Sequence, residues 1–453
     1  MEKLDQEEKE PLYTEIEEAL TQEDMHRFRD EFLEMHPYDQ SELFEELNET
    51  ERHLVYSYLS PEEMADVIEH IDEDRVGDVI TEMNPTYAAD VLAEVATDDA
   101  VDILNDLDKD KVASFLTIME EEAADEIKDL LHYEEKTAGS IMTTEFVVVT
   151  TDMNVKQAMR HLRQEAPDAE TIYYIYVVNQ DRKLVGVISL RDLIIADGAE
   201  IIEDLMSDRI VSVSVGDDQE QIAQMMRDYD FLALPVVDFQ NHLLGIITVD
   251  DIMDVMEEEA NDDYSKLAGV DVDAAELTSI QAAKNRLPWL IILMFLGLFT
   301  ASIIGRFEET LDQVALLAIF LPLIAGMAGN TGTQALAVAV RGIATGDFQK
   351  QGLSKIVTRE LMTGVIIGVT CGLSIWGIIY IWQGTLFLGF VVGLSIMTTL
   401  LVATVSGALV PLLMHYFKVD PAVASGPFIT TINDIISVVI YFGLATMFMQ
   451  FLI

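Results

Sequence analysis

A lone carboxylate, Asp434, lies in the apolar stretch TTINDIISVVIYF and is followed by nineteen residues without another charge. A charge at bilayer depth costs on the order of 2.5–3.5 kcal/mol on insertion scales, so an acid kept there is read as a functional site. The chemistry open to it is cation coordination. The competing reading is pairing with a base, but no Lys or Arg lies within any of the long apolar segments. A second set of acids runs through DDIMDVMEEEANDDYSKLAGVDVDAAEL. Asp251 and Asp254 share one helix face, Glu258 continues it, and Glu259, Asp262 and Asp263 follow. Like charges at helical spacing repel. A divalent cation would relieve that repulsion; an exposed acidic helix is the plainer alternative.

The elements that hold these acids differ sharply in composition. Of 80 acids and 27 bases, residues 287–453 hold seven and six. The first 286 residues hold the other 73 and 21, a net charge of −52. One part is a polyanion, which argues against nucleic acid or anionic lipid surfaces as its partners and suits cations. Much of that charge also serves solubility. The single cysteine, Cys371, falls in an apolar run, so neither a disulfide framework nor a Cys-based metal site is expected. The start, MEKLDQEEKE, lacks an apolar h-region, so no cleavable signal peptide is expected and the first part is placed in the cytoplasm. No Ser/His/Asp, Cys/His or P-loop constellation points to an enzyme.

From Pro37 the chain divides every twelve residues, in units such as PEEMADVIEHID, EDRVGDVITEMN and PTYAADVLAEVA. Apolar residues recur at unit positions 4, 7, 8 and 11, one face of a helix. Short helices joined by tight turns predict an α-superhelical domain over 1–131. Unit position 6 is Asp66, Asp78, Asp90 and Asp102, with Glu126 further on. Stacked, these would form a ladder, either a solvated polar edge or a cation-binding surface. Asp98 and Asp102 are spaced to face one ion.

Residues 132–258 hold two copies of a strand–helix–strand–strand–helix pattern, ending in LVGVISLRDL and LLGIITVDDI. These duplicated motifs resemble a tandem CBS pair. In that family the motif's Ser/Thr and Asp can hold the ribose of an adenine nucleotide such as ATP; here they are Ser189 and Asp192, and Thr248 and Asp251. The alternative is a helix N-cap with Asp at its third position.

Five apolar stretches, 287–305, 313–340, 361–382, 386–414 and 427–452, are long enough to span a membrane. Basic residues alternate between their loops, which puts the N-terminus in the cytoplasm and the C-terminus outside. The second stretch contains PLIAGMAGNTGTQAL, where Pro322, Gly326 and Gly329 are expected to loosen the helix beside Asn330, Thr331, Thr333 and Gln334. Five helices pair poorly within one chain. A two-fold axis between two copies would bring two Asp434 side chains to face one divalent ion, each pair of opposite unit charges at about 4 Å being worth roughly 4 kcal/mol at an effective dielectric of ~20. Mg²⁺ keeps its waters and is bound through few carboxylates, which suits such a site.

The order of parts, AGNTGTQ and PFITTIND together resemble the MgtE magnesium channel family along essentially the whole chain. The resemblance implies a homodimer in the plasma membrane. Its multidomain architecture is an α-superhelical N domain (1–131), an α/β tandem CBS pair (132–258), a connecting plug helix (259–286) and an all-α five-helix transmembrane domain (287–453). It implies Asp434 as the pore aspartate for Mg²⁺, with Asn330 and Thr331 lining the pore and the Thr430 carbonyl approaching the ion. Regulatory ions would fall to Asp66, Asp98, Asp102, Glu220, Asp230, Asp251, Asp254, Glu259, Asp262 and Asp263. Gly426 stands where many members carry Asn, which removes any side-chain role there. The expected function is Mg²⁺ import gated by cytosolic Mg²⁺. The rivals are a nucleotide-sensing membrane regulator that transports nothing, a gradient-coupled transporter, and a transporter of Co²⁺ or Mn²⁺.

Overall fold

The computed structural model describes residues 6–269, 278–345, 352–420 and 426–452. The chain divides into two compact units, Met1–Met256 and Glu257–Ile453.

The first unit begins with α1 (Gln6–Thr21) and α2 (Met25–Phe32). Eight short helices follow: α3 (Pro37–Glu46), α4 (Glu49–Tyr58), α5 (Pro61–Ile68), α6 (Glu73–Glu82), α7 (Pro85–Leu92), α8 (Thr97–Asn105), α9 (Lys109–Ile118) and α10 (Glu121–Leu130). Their first residues fall at twelve-residue intervals, the period of the sequence. The phase is set by the turns. Pro37, Pro61 and Pro85 occupy first helical positions, where the missing N–H has no partner to lose. The residue before each helix caps it in several units: Asn48 and Ser60 form capping boxes with Glu51 and Glu63, and Asn84 accepts from the Thr86 amide. The apolar face of each unit, such as Met64, Val67 and Ile68, enters one continuous core.

Helices two apart in the sequence pack side by side: α3 on α5, α5 on α7, α7 on α9, α6 on α8 and α8 on α10. The units thus form two rows. The expected single ladder of position-6 aspartates is split, with Asp66 and Asp90 in one row and Asp78 and Asp102 in the other, all exposed.

The two α/β copies follow. The first is β1 (Phe146–Thr150), α11 (Val155–Glu165), β2 (Thr171–Val178), β3 (Leu184–Ser189) and α12 (Leu190–Ile195). A short α13 (Ile202–Leu205) leads to the second: β4 (Val213–Ser214), α14 (Gln219–Tyr229), β5 (Ala233–Val237), β6 (Leu243–Thr248) and α15 (Val249–Ala268). Each copy has a three-stranded sheet with the first pair parallel and the second antiparallel. The segment entering each copy bonds to the other: Thr143 pairs with Ile246, and Ser207 with Val187. That exchange ties the two copies into a pseudo-symmetric pair.

The second unit contains α16 (Ser279–Gly305), a short α17 (Glu308–Gln313), α18 (Leu317–Ala344), α19 (Leu353–Gln383), α20 (Leu386–Tyr416) and α21 (Gly426–Met447). All but α17 are long and apolar enough to cross a membrane. The helices of the first, third and fourth stretches outrun their apolar cores. Helix α18 runs without interruption through Pro322, Gly326 and Gly329, contrary to the loosening expected there. A proline removes one backbone bond, which neighbouring membrane helices tolerate, and α18 packs along both α20 and α21. The acidic helix also differs from expectation. It does not continue to Arg286: α15 ends at Ala268, Gly269 takes the left-handed conformation (φ 67°), and Lys284 and Arg286 belong to α16. Glycine at that position is a common helix stop.

Replacing Ser60 by Ala removes the side-chain half of the α5 capping box, the bond from the Glu63 amide, and leaves the Glu63 carboxylate accepting from the residue-60 amide. The first unit is expected to lose about 1 kcal/mol, read as a lower urea midpoint with an unchanged slope.

Candidate metal-ion sites

In the first unit, the packing of α8 against the α/β pair turns scattered acids into neighbours. Asp98, in the first turn of α8, is 6 % exposed, and its Oδ1 has no hydrogen-bond partner. Burial, and then the facing Asp251, Asp99 and Glu170, push its carboxyl well above the ordinary range. Asp99 is pushed to about 8 by burial and by Glu69, Asp251, Asp102 and Glu170. Glu170 rises to about 7 by burial and by Asp251, Asp250, Glu145 and Glu69. Asp251 is raised by burial, which its bonds from Thr248 partly offset. Glu145 accepts from the Thr97 hydroxyl at 3.2 Å, a direct tie from α8 to the strand region.

The sequence pointed to Asp98, Asp102 and Asp251 here but missed Glu69, Asp99, Glu145 and Glu170. No local signal marks those four among 80 acids; they matter because the fold dries the surface between them. Among the described residues no three acidic, His or Cys side chains stand close enough to form a ready ligand cage. An ion held largely through its waters needs only one or two carboxylates, so the arrangement suits a hydrated divalent cation.

The remaining soluble candidates lie elsewhere. Asp66 is exposed, its carboxyl raised by partial burial and by Glu62. Glu220 sits in the first turn of α14 and accepts from Gln224 at 3.3 Å. Asp230 is exposed and holds the left-handed C-cap of α14, a position that favours Asp for its backbone alone. Asp254 is exposed on α15. The nucleotide candidates close on themselves. Ser189 donates to Asp192 at 2.6 Å, and Thr248, 3 % exposed, donates to Asp251 at 2.5 Å. Both pairs thus act as helix-start caps in this state.

In the second unit the acidic end of α15 meets one base. Lys266 Nζ lies 2.8 Å from Asp420 and 3.1 Å from Asp262. Burial would lower its pKa, but these two acids raise it. Asp263 is pushed to about 6 by burial and by Asp420, against the pull of Lys266. Glu259 precedes them by one helical turn and is half-buried.

Asp434 sits about two turns into α21, half-buried, and makes no ion pair among the described residues. Thr430 lies one turn earlier, within the same helix. Its hydroxyl donates to the Gly426 carbonyl at 2.8 Å and lies 3.2 Å from the Thr333 hydroxyl. In a regular helix its carbonyl accepts from the Asp434 amide, leaving one lone pair for a further ligand. On α18, Asn330 and Gln334 are exposed on one face. Thr331 is 9 % exposed, buried inside the bundle, and does not share that face. The reason is the 100° advance per helical residue.

A helical-repeat domain, a duplicated α/β pair and five spanning-length helices, one of them carrying Asp434, mark a multidomain membrane protein of the ion-transporting kind. A family model described as "Divalent cation transporter" matches residues 321–444, the MgtE intracellular N domain matches 35–136, and the CBS domain matches 138–198 and 202–258. The chain is 50% identical over 438 residues to "Magnesium transporter MgtE" of Enterococcus faecalis, covering 96% of this chain and 97% of that one. It belongs to the MgtE family. A crystal structure of the soluble part of a magnesium transporter matches with TM-score 0.55 and 52% identity, covering 56% of this chain and 100% of that one. The cytosolic domain of the Mg²⁺ channel MgtE in complex with ATP matches with TM-score 0.51 and 39% identity, covering 54% and 99%.

The raised acids fix a pH dependence. A carboxyl whose folded pKa exceeds its unfolded one holds a proton that unfolding releases, so stability is lost as pH rises between the two values. For Asp99 that window runs from 3.8 to about 8. The soluble part in EDTA is therefore expected to melt at progressively lower temperature from pH 5 to pH 8.5. Asp98→Asn should flatten that slope and raise the melting temperature at pH 8.5; an unchanged profile contradicts the burial of these charges.

Proposed function

We propose that the chain imports Mg²⁺ across the plasma membrane as a homodimeric channel whose opening falls as cytosolic Mg²⁺ rises. The observation that carries this reading is Asp434, a carboxylate within a spanning-length helix that makes no ion pair with a base among the described residues. The exposed Asn330 and Gln334 face of α18 supports the dimer. Polar side chains on a spanning helix are kept where they meet protein or a water-filled path, and a second copy offers both. The relatives named as magnesium transporters support Mg²⁺ as the cargo over Co²⁺ or Mn²⁺. Basic loop residues support a cytoplasmic N-terminus and an outward C-terminus.

Gating follows from linkage: ions favour whichever state binds more of them. At low Mg²⁺ the acids around Asp98 and Asp251 repel. At high Mg²⁺ a hydrated ion between them stabilises the compact soluble unit, and ions at Glu259, Asp262 and Asp263 hold the plug helix in its closing position. A modulatory role for adenine nucleotide at the CBS pair is favoured by the ATP complex of the matched cytosolic domain. It requires the Ser189–Asp192 and Thr248–Asp251 pairs to open toward the ribose.

In liposomes loaded with a Mg²⁺ indicator, Asp434→Ala is expected to abolish influx; full influx in that variant overturns the pore assignment. Neutralising Asp251, Asp254 and Asp263 together should raise the cytosolic Mg²⁺ needed for closure by at least about tenfold, the order of lost ligands at a metal site. An unchanged dose–response argues against gating there.

A further inference from the structure

Asn433 directly precedes Asp434 and is 1 % exposed. Its Oδ1 accepts from the Ser406 hydroxyl of α20 at 2.7 Å, while its Nδ2 is buried with no partner. An unpaired amide in a dry environment is unfavourable, so the packing that holds it must be tight. That packing is a notch in α18. A Cβ on Gly332 would overlap the Asn433 amide, and one on Gly329 would meet Thr430 Cγ2 at 2.7 Å. Gly407 of α20 faces the Gly332 carbonyl so closely that it too has no room for a side chain. Three spanning helices therefore converge on one buried amide.

Consecutive helical residues point about 100° apart, so whatever seats Asn433 also sets the direction of Asp434. We propose that Asn433 is a positioning residue for the pore carboxylate. Its amide, seated in the Gly332 notch and tied to Ser406, locks the rotation of α21 so that Asp434 stands on the ion path. This rests on the assignment of Asp434 to that path. An apolar side chain of equal volume would fill the notch without the bond that selects one rotation.

The test uses the full chain in liposomes, with Mg²⁺ and Ca²⁺ influx measured for each variant and assembly checked by elution and thermal midpoint. Asn433→Leu is expected to assemble, to lose at least about tenfold in Mg²⁺ influx and to lower the Mg²⁺-to-Ca²⁺ ratio, as lost supporting partners do at metal sites. Ser406→Ala, which adds no volume, should move both readouts the same way by less, and it carries the test where Asn433→Leu does not assemble. Gly332→Ala, whose Cβ would overlap the Asn433 amide, should lower assembly as well as the ratio, and adding Asn433→Ala to it should restore assembly but not the ratio. Wild-type influx and ratio in Asn433→Leu or Ser406→Ala overturn the proposal, as does full recovery of the ratio in the double variant. Asp434→Ala is run alongside: if it retains influx, the pore assignment itself fails; if it abolishes influx while Asn433→Leu is unaffected, only the positioning role fails.

Discussion

Taking water from between like charges raises their mutual energy, and the first unit does this at a few chosen places. Most of its acids, including Asp66, Asp78, Asp90 and Asp102, stay in water, where neighbouring charges are screened within about 10 Å. Asp98 and Asp99 differ because α8 lies against the α/β pair. Burial is the first cause of their raised pKa values, and facing carboxylates come second. Neutralisation there takes either a proton or a cation. On the proposed reading, a cation held there competes with protons, which would tie the ion response to pH.

Much of the architecture was legible because it repeats. A twelve-residue period, two copies of a CBS motif and five long apolar stretches each leave a pattern that one sequence can display. The helix starts at Pro37, Pro61 and Pro85 followed from the turn chemistry. Two helix expectations failed, the first for a tertiary reason and the second for a local one. Pro322 left α18 unbroken because neighbouring helices support it, and the acidic helix stopped at Gly269, whose backbone conformation no apolar period announces. The site was legible only where it had local contrast. Asp434 stood out against apolar residues; Glu69, Asp99, Glu145 and Glu170 did not stand out against other acids, and their role depends on which surfaces the fold brings together.

Within the membrane unit the same principle runs with opposite contrast. There charge is rare, and position rather than number gives it meaning. Asp434 can act on an ion only if its helix holds one rotation, and apolar packing between helices of Leu, Ile and Val is tolerant of small rotations. A buried amide is less tolerant, since its hydrogen bond to Ser406 has a direction and its bulk has one notch to enter. Glycine at 332 and 407 brings the three helices close enough for that bond to form. Close backbone approach through small residues is the usual means of membrane helix packing. Here the small residues also form the seat of Asn433, so on the proposed reading the feature that packs the helices is the one that aims the carboxylate.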